Sequence, residues 1–392
     1  MPGNNHNIEE LKSRRFPLLP YSQLVWDMLQ ESPDVYNFSA TVYIDKSSVN
    51  IKRLKDAFVV ALQNHPVFSM VIDSEGMQHF QSHEDILHGQ FHSIDIEEDD
   101  KEVRLIIQFN RILGDGYSFG WLLQEVFSVY GGKTVLEDNY LEYLSQTELM
   151  KQSVDYNAHK EWLNAEFGGL DIPVRPSTDI PLDADIVPKC GCIDDNYTEY
   201  LPSLENLTNT CSITHSQLIS LCVALAIMDY NGTNEAALTW AYMGREEPEE
   251  MTIFGSLHKD IPLKFSRETR DGRMLSKNEL LQQLITQVES GINNSSYPFT
   301  LTPPNTETWN YAVNVLDQLN LSEMFSRAPF DIVNIESREN EIAYALLDVE
   351  LYHSQIEKEL IVNYRYSATH YKPDSIRKFA DLVKKNCEKF LS

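Results

Sequence analysis

A chain of 392 residues is longer than one ordinary hydrophobic core organises and suits two domains. With 42% hydrophobic and 23% charged residues it can bury its own core, which excludes a disordered chain, collagen and a disulfide-stapled mini-protein. Lys and Arg number 32 against 59 Asp and Glu, and a net charge of −27 repels nucleic-acid phosphates and anionic lipid, so neither is expected as a partner.

Residues 1–15 are polar and carry no apolar core of a signal peptide. Residues 38–44 alternate and predict a strand. Ser48 then precedes an amphipathic helix through Ile51, Leu54, Phe58 and Leu62, which Pro66 ends. Strands are expected at 67–72 and 78–81. His83, His88 and His92 follow at spacings that lack a metal triad and read as a surface loop, with an acidic loop at 93–101. Val103, Leu105, Ile107 and Phe109 form a period-two strand. A Gly114-Asp115-Gly116 turn follows. Ser118 is expected to cap a helix whose apolar positions are Phe119, Leu122, Leu123, Val126, Phe127 and Tyr130, one helical face stopped by Gly131-Gly132. Residues 140–167 read as helical, with Tyr143 and Trp162 facing inward.

Pro, Asp and Gly gather over 168–195, which divides the chain into a lobe 1–170, a linker 171–195 and a lobe 196–392. The second lobe is expected to open on a strand at 197–201. Thr214 caps an apolar helix at 218–228, too short to cross about 30 Å of hydrocarbon. Strands follow at 236–241 and within 251–265. Ser276 with Glu279 is a capping-box pattern. Strands at 331–335, 341–349 and 360–366 and a closing helix at 374–390 complete an α/β pattern in both halves. The five cysteines (Cys190, Cys192, Cys211, Cys222 and Cys387) show no CxxC or Cys/His zinc spacing; no metal site is expected, and they read as reduced thiols in the cytoplasm.

The strand–turn–helix at 103–130 places polar side chains at an element edge, where rigid scaffolds hold sites. The plainer reading is an ordinary turn with a solvated Arg. At these residues the chain resembles the condensation domains of nonribosomal peptide synthetases, in the superfamily of chloramphenicol acetyltransferase and carnitine acyltransferases. Phe16-Pro17-Leu18-Leu19-Pro20 with Gln23 and Trp26 is similar to the opening PLSxxQ…W motif, and Asn64-His65-Pro66-Val67 to RHPxLR. Asn110 to Gly116 falls where the family has HHxxxDG. Residues 140–162 resemble its YxDYAxW region, and 239–245 with 255–264 its vagR…vGxFvNtlplR block. The resemblance implies a pseudo-dimer of two chloramphenicol acetyltransferase-like lobes in a V with a tunnel between them. It also implies a carrier-bound donor and acceptor, a catalytic second His and a structural Asp paired with an Arg of the other lobe. Carried over, Asp115 and Gly116 are structural, Arg245 is the partner of Asp115, and Ser118 and His258 are candidates to line the tunnel.

The motif departs at its reactive positions, with Asn110 at the first His and Arg111 at the second. Arg stays protonated and cannot be a general base, whereas its five donors can stabilise an oxyanion or hold a carboxylate. His258, beside Lys259-Asp260, reads more simply as a strand residue near an Asp, and His215, His353 and His370 are isolated. The expected activity is a free-standing, monomeric acyltransferase, because the chain starts at its own Met and ends after its closing helix. It would join a thioester-held acyl or aminoacyl group to an amine or alcohol. The thioester would be carried on the phosphopantetheine arm of an acyl or peptidyl carrier protein or on coenzyme A, with no cofactor bound. The alternative is an inactive platform that binds a carrier or recruits a tailoring enzyme, as in the X-domain, whose motif is HRxxxD(D/E). Two basic runs, Lys52, Arg53, Lys55 and Lys264, Arg267, Arg270, Arg273, Lys277, offer docking patches for an acidic carrier, although solvated surface is the commoner use of such runs.

Overall fold

In a computed structural model the chain is described over residues 8–31, 37–82, 84–182, 189–300, 303, 306–318, 320–338 and 345–391. It divides into two units, Met1–Ser153 with Met243–His258 and Leu319–Asn340, and Val154–Tyr242 with Lys259–Gln318 and Glu341–Ser392. The division differs from a single linker at 171–195, because two segments of the second half join the first unit. Residues 190–195 of that expected linker belong to the edge strand Cys190–Asn196.

In the first unit the period-two run builds strand Glu102–Asn110, with Val103, Leu105, Ile107 and Phe109 buried. It pairs antiparallel with Asn37–Asp45 and with His92–Glu98, and Ile332–Arg338 pairs with the outer side of Asn37–Asp45. Strand His92–Glu98 replaces the expected acidic loop. Its outward Asp95, Glu97 and Glu98 hide the alternation of His92 and Ile94, which are buried. Helices Ile51–Asn64 and Gly116–Tyr130 pack against each other, and side chains from both meet those of Phe38, Ala40, Ile107 and Phe109 on the sheet around a small, wholly apolar cavity. The cap of the first helix is Asn50, whose side chain accepts Arg53 N–H at 2.9 Å. A second, small sheet orders Arg15–Pro17, Met77–Phe80 and Met70–Ile72; a 3₁₀ turn, Pro66–Ser69, takes the start of the strand expected from residue 67. Helices Tyr140–Met150 and Val154–Phe167 share the region expected to be helical.

The second unit is a six-stranded sheet in the order Cys190–Asn196, Glu359–Ser367, Leu347–Ser354, Asn314–Asp317, Glu235–Tyr242 and Lys259–Ser266. Asn314–Asp317 runs parallel to both neighbours, and Glu235–Tyr242 beside it carries the uninterrupted buried run Ala236 to Trp240 that such strands require. Helix His215–Asn231 is buried continuously from Ser216 to Met228, so the apolar stretch is a core helix packed against Pro373–Leu391 and Lys277–Asn293. Among the described residues no single helix is long and apolar enough to cross a membrane. Both expected caps form, Thr214 with Gln217 and Ser276 with Glu279. Residues 201–211 are helical rather than the end of a strand, and 248–252 form a 3₁₀ turn before the strand Lys259–Ser266. Of the strand expected at 341–349, residues 341–344 lie outside the described residues, and the strand runs Leu347–Ser354.

Gly244 has φ +70° and a Cβ there would lie 1.9 Å from Leu257 O. Gly272 has φ +81° with nothing within 4 Å. Gly272→Ala is expected to cost about 1 kcal/mol, and Gly244→Ala more than about 2 kcal/mol because strain and collision add. Urea unfolding of the two variants checks the difference.

Candidate active site

The turn after Glu102–Asn110 is shaped by Asn110 itself. Its Oδ1 accepts Ile112 N–H at 3.0 Å and its Nδ2 donates to Asn37 Oδ1 at 2.8 Å, so the buried amide bends the chain and ties it to the neighbouring strand. Arg111 is half-buried at the turn, and its carbonyl accepts from Ser256 Oγ at 3.2 Å. Ser22 Oγ donates to the next carbonyl, Ile112 O, at 2.8 Å. Asp115 caps the helix, accepting Ser118 N–H at 3.0 Å, so Gly116 is the first helical residue and Ser118 is not the cap.

Asp115 is also the hub of the site. Its Oδ2 accepts from Arg245 Nη1 at 2.8 Å, Leu257 N at 2.9 Å and His258 N at 3.2 Å. Arg245 Nη2 reaches Ser118 Oγ at 3.0 Å, Gly255 O at 3.1 Å and Ile253 O at 3.2 Å, and its guanidinium lies 4.5 Å from the Tyr117 ring centroid. The side chains of Arg245 and Asp115 are 0% and 7% exposed. Burial alone pushes the Asp115 carboxyl up. The adjacent Arg245 charge and bond, the His258 charge and the Ser118 amide outweigh it and hold the group below the usual carboxylate range. The expected Asp115–Arg245 pair is thus formed, but within one unit, since Met243–His258 belongs with the segment bearing Asp115.

Ser118 lines no open surface. It is fully buried, with Oγ 2.9 Å from Asp115 Oδ1 and 2.8 Å from Gly255 O, one of which takes its proton, while Gly255 N–H donates to it at 3.0 Å. His258 is half-buried, with its ring edge-on to Tyr21 at 4.0 Å. The carboxylate beside it in the chain, Asp260, accepts from Thr300 Oγ1 at 2.9 Å. The histidines at 88 and 92 do not form a site. His88 bridges Asp85 and Asp95, His92 is buried against Ile86 O, and His83 lies outside the described residues. His215 packs edge-on to His353, and His370 Nδ1 bonds Ser367 Oγ at 2.8 Å. Among the described residues no group of three His, Cys, Asp or Glu side chains could hold a metal. Within the basic runs, Lys52 pairs with Asp56, Arg267 with Asp229 and Arg273 with Glu279.

Sequence reasoning quoted His65 only as part of a motif. In the structure it is fully buried, with Nδ1 2.5 Å from Asp138 Oδ2 and Nε2 2.6 Å from Glu125 Oε2. Burial opposes its charge, but the two carboxylates win and raise its pKa to about 9. A His placed directly between a helix end and a Pro, followed by a Glu flanking the apolar face of the next helix, was the available signal.

Residues 91–392 match the family model described as Condensation domain, and the chain belongs to that family. Bacitracin synthase 1 of Bacillus licheniformis is 23% identical over 305 residues, 73% of this chain. The chain spans only 6% of the length of the bacitracin synthases it matches. Among solved structures, a variant of the starter condensation domain of rhizomide synthetase with C8-CoA and Leu-SNAC has TM-score 0.74 at 13% identity, covering 99% of this chain and 97% of that one. The X-domain from teicoplanin biosynthesis has TM-score 0.73 at 13% identity, covering 96% and 95%. The fold is therefore the chloramphenicol acetyltransferase-like fold of condensation domains.

Arg245→Ala leaves the Asp115 carboxylate buried without its cation and is expected to cost about 3–5 kcal/mol, read as a fall in the urea midpoint. The raised pKa of His65 stabilises the fold fully below its unfolded value of about 6.5 and is lost as pH rises through about 9. Unfolding free energy is expected to fall by about 3 kcal/mol across that window in the wild type, and by much less in His65→Gln.

Proposed function

We propose that this protein is a condensation-type acyltransferase of nonribosomal peptide or related natural-product synthesis. It joins an acyl or aminoacyl thioester, on a carrier protein or on coenzyme A, to an amine or alcohol. The observation that carries this reading is the complete Asp115–Arg245–Ser118 lock directly behind the turn that bears Arg111. The pair is costly to bury, and it fixes the backbone on which Arg111 stands.

In the reaction the acceptor nitrogen or oxygen bonds to the thioester carbonyl carbon and the C–S bond breaks. The proton lost by the acceptor leaves with the departing thiol, so no net base is consumed. Arg111 accepts no proton at neutral pH. Its donors serve the negative charge that develops on the carbonyl oxygen, and the rest of the acceleration comes from holding donor and acceptor together. Asn110 shapes the turn that presents Arg111.

A second reading, a carrier-binding platform without turnover, is favoured by one observation: a permanent cation replaces the second His of the motif, as the resemblance to the X-domain implies. Loaded donor and acceptor carriers mixed with the protein distinguish the two by intact mass. Product is expected, falling about 100-fold or more in Arg111→Ala. Carrier binding with no product at any loading overturns the enzymatic reading in favour of the platform.

A further inference from the structure

His65 is a buried charged group that the proposed reaction does not use. Each ring nitrogen faces a carboxylate oxygen at hydrogen-bond distance, and two such bonds need two protons. The cluster is therefore an imidazolium between two carboxylates or a neutral ring beside one carboxylic acid, and in both cases it carries a net charge of −1. The side chains of His65, Glu125 and Asp138 are 0%, 5% and 0% exposed. Burying such a set is costly, and Glu125 Oε1 has no hydrogen-bond partner among the described residues.

What the cluster holds is Phe254. Asp138 Oδ2, the oxygen that faces His65, also accepts Phe254 N–H at 3.0 Å, while Oδ1 accepts Tyr140 N–H at 2.8 Å. The Phe254 ring lies 5.5 Å from the His65 ring and 4.6 Å from that of Phe68. It also presses on the motif: a Cβ on Gly114 would lie 2.6 Å from Phe254 Cε1. The next residue, Gly255, bonds Ser118 Oγ through its N–H and accepts from Arg245 Nη2. Phe254 thus reaches Asp115 by two routes, through its ring onto Gly114 and through its backbone onto Ser118 and Arg245.

We propose that His65 is a positioning residue for the 110–116 turn: its bonds to Glu125 and Asp138 seat Phe254 against Gly114 and so set where Arg111 and Asp115 stand. The turn's importance to catalysis rests on the acyltransferase reading, but the mechanical link does not. The titratable groups around the ring are Glu125 from helix Gly116–Tyr130, Asp138 from the segment before Tyr140, and the Tyr140 hydroxyl, which donates to Gln78.

Selective NMR labelling of glycine and histidine tests the link without substrate. In folded His65→Gln and Asp138→Asn, the Gly114, Gly116 and Gly255 signals are expected to shift while Gly232 and Gly272 stay in place. In the transfer assay the same variants are expected to lose about 10–100-fold in kcat with KM changed less than about twofold, and isosteric Glu125→Gln to retain more. Unmoved Gly114 and Gly255 signals in a folded His65→Gln protein overturn the proposal. Should that variant not fold, the wild type decides: the His65 ring and Gly114 signals must titrate with one shared midpoint near pH 9, and separate midpoints overturn it. A wild type that shows the glycine coupling but makes no product would sink the acyltransferase reading alone.

Discussion

The buried pair of Asp115 and Arg245 is the constraint around which the first unit is arranged. Removing both charges from water costs several kcal/mol each, and a single good contact does not repay that. The protein offsets most of the cost by surrounding the pair with further hydrogen bonds. The carboxylate takes two backbone N–H groups besides the guanidinium, and caps a helix with its other oxygen. Nη2 of the guanidinium faces Ser118 Oγ and the carbonyls of 253 and 255, while the buried Nε has no hydrogen-bond partner among the described residues. Each of those bonds dictates where a piece of backbone must run, so one ion pair sets the turn, the start of the helix and the course of 253–258 together.

That arrangement separates scaffold from chemistry. The side chains that hold the turn face inward, buried Asn110 among them, and 110 and 111 are where the sequence differs from the HHxxxDG motif it resembles. Asn110 replaces an imidazole with an amide of similar reach and keeps a bond across to the neighbouring strand. Arg111 changes more: a group that could exchange a proton becomes one that only donates and always carries charge. The scaffold beneath holds the Arg111 backbone, whose carbonyl accepts from Ser256 Oγ.

Most of the fold was legible where burial is one-sided or total. The alternation of Val103 to Phe109, the helical arc of Phe119 to Tyr130 and the unbroken apolar run at 218–228 each have a single physical solution. Elements at edges were not, because strand His92–Glu98 shows half its residues to water and its acids look like a loop. The partition was also out of reach, since no composition change marks Met243–His258 as belonging with residues that precede it by more than a hundred positions. At the site, Asp115 and Arg245 could be paired from the resemblance. The error over Ser118 arose because Ser and Asp are both good caps and both precede the apolar run; only Arg245 decides which oxygen faces the helix. His65 was invisible as a partner of Glu125 and Asp138 because its bonds join positions 60 and 73 residues apart.

The scattered membership of the first unit has a consequence for how it is made. Asp115 leaves the ribosome 130 residues ahead of Arg245, an interval of about 10 s at ordinary elongation rates. Strand Ile332–Arg338, the edge strand of that sheet, comes later still, nearly 300 positions after its neighbour Asn37–Asp45. Until then strand Asn37–Asp45 lacks its outer partner, and before Arg245 is made the Asp115 carboxylate lacks its cation. Such long-range closure makes for slow folding and a long window for aggregation. The many acidic residues keep like chains apart during that wait.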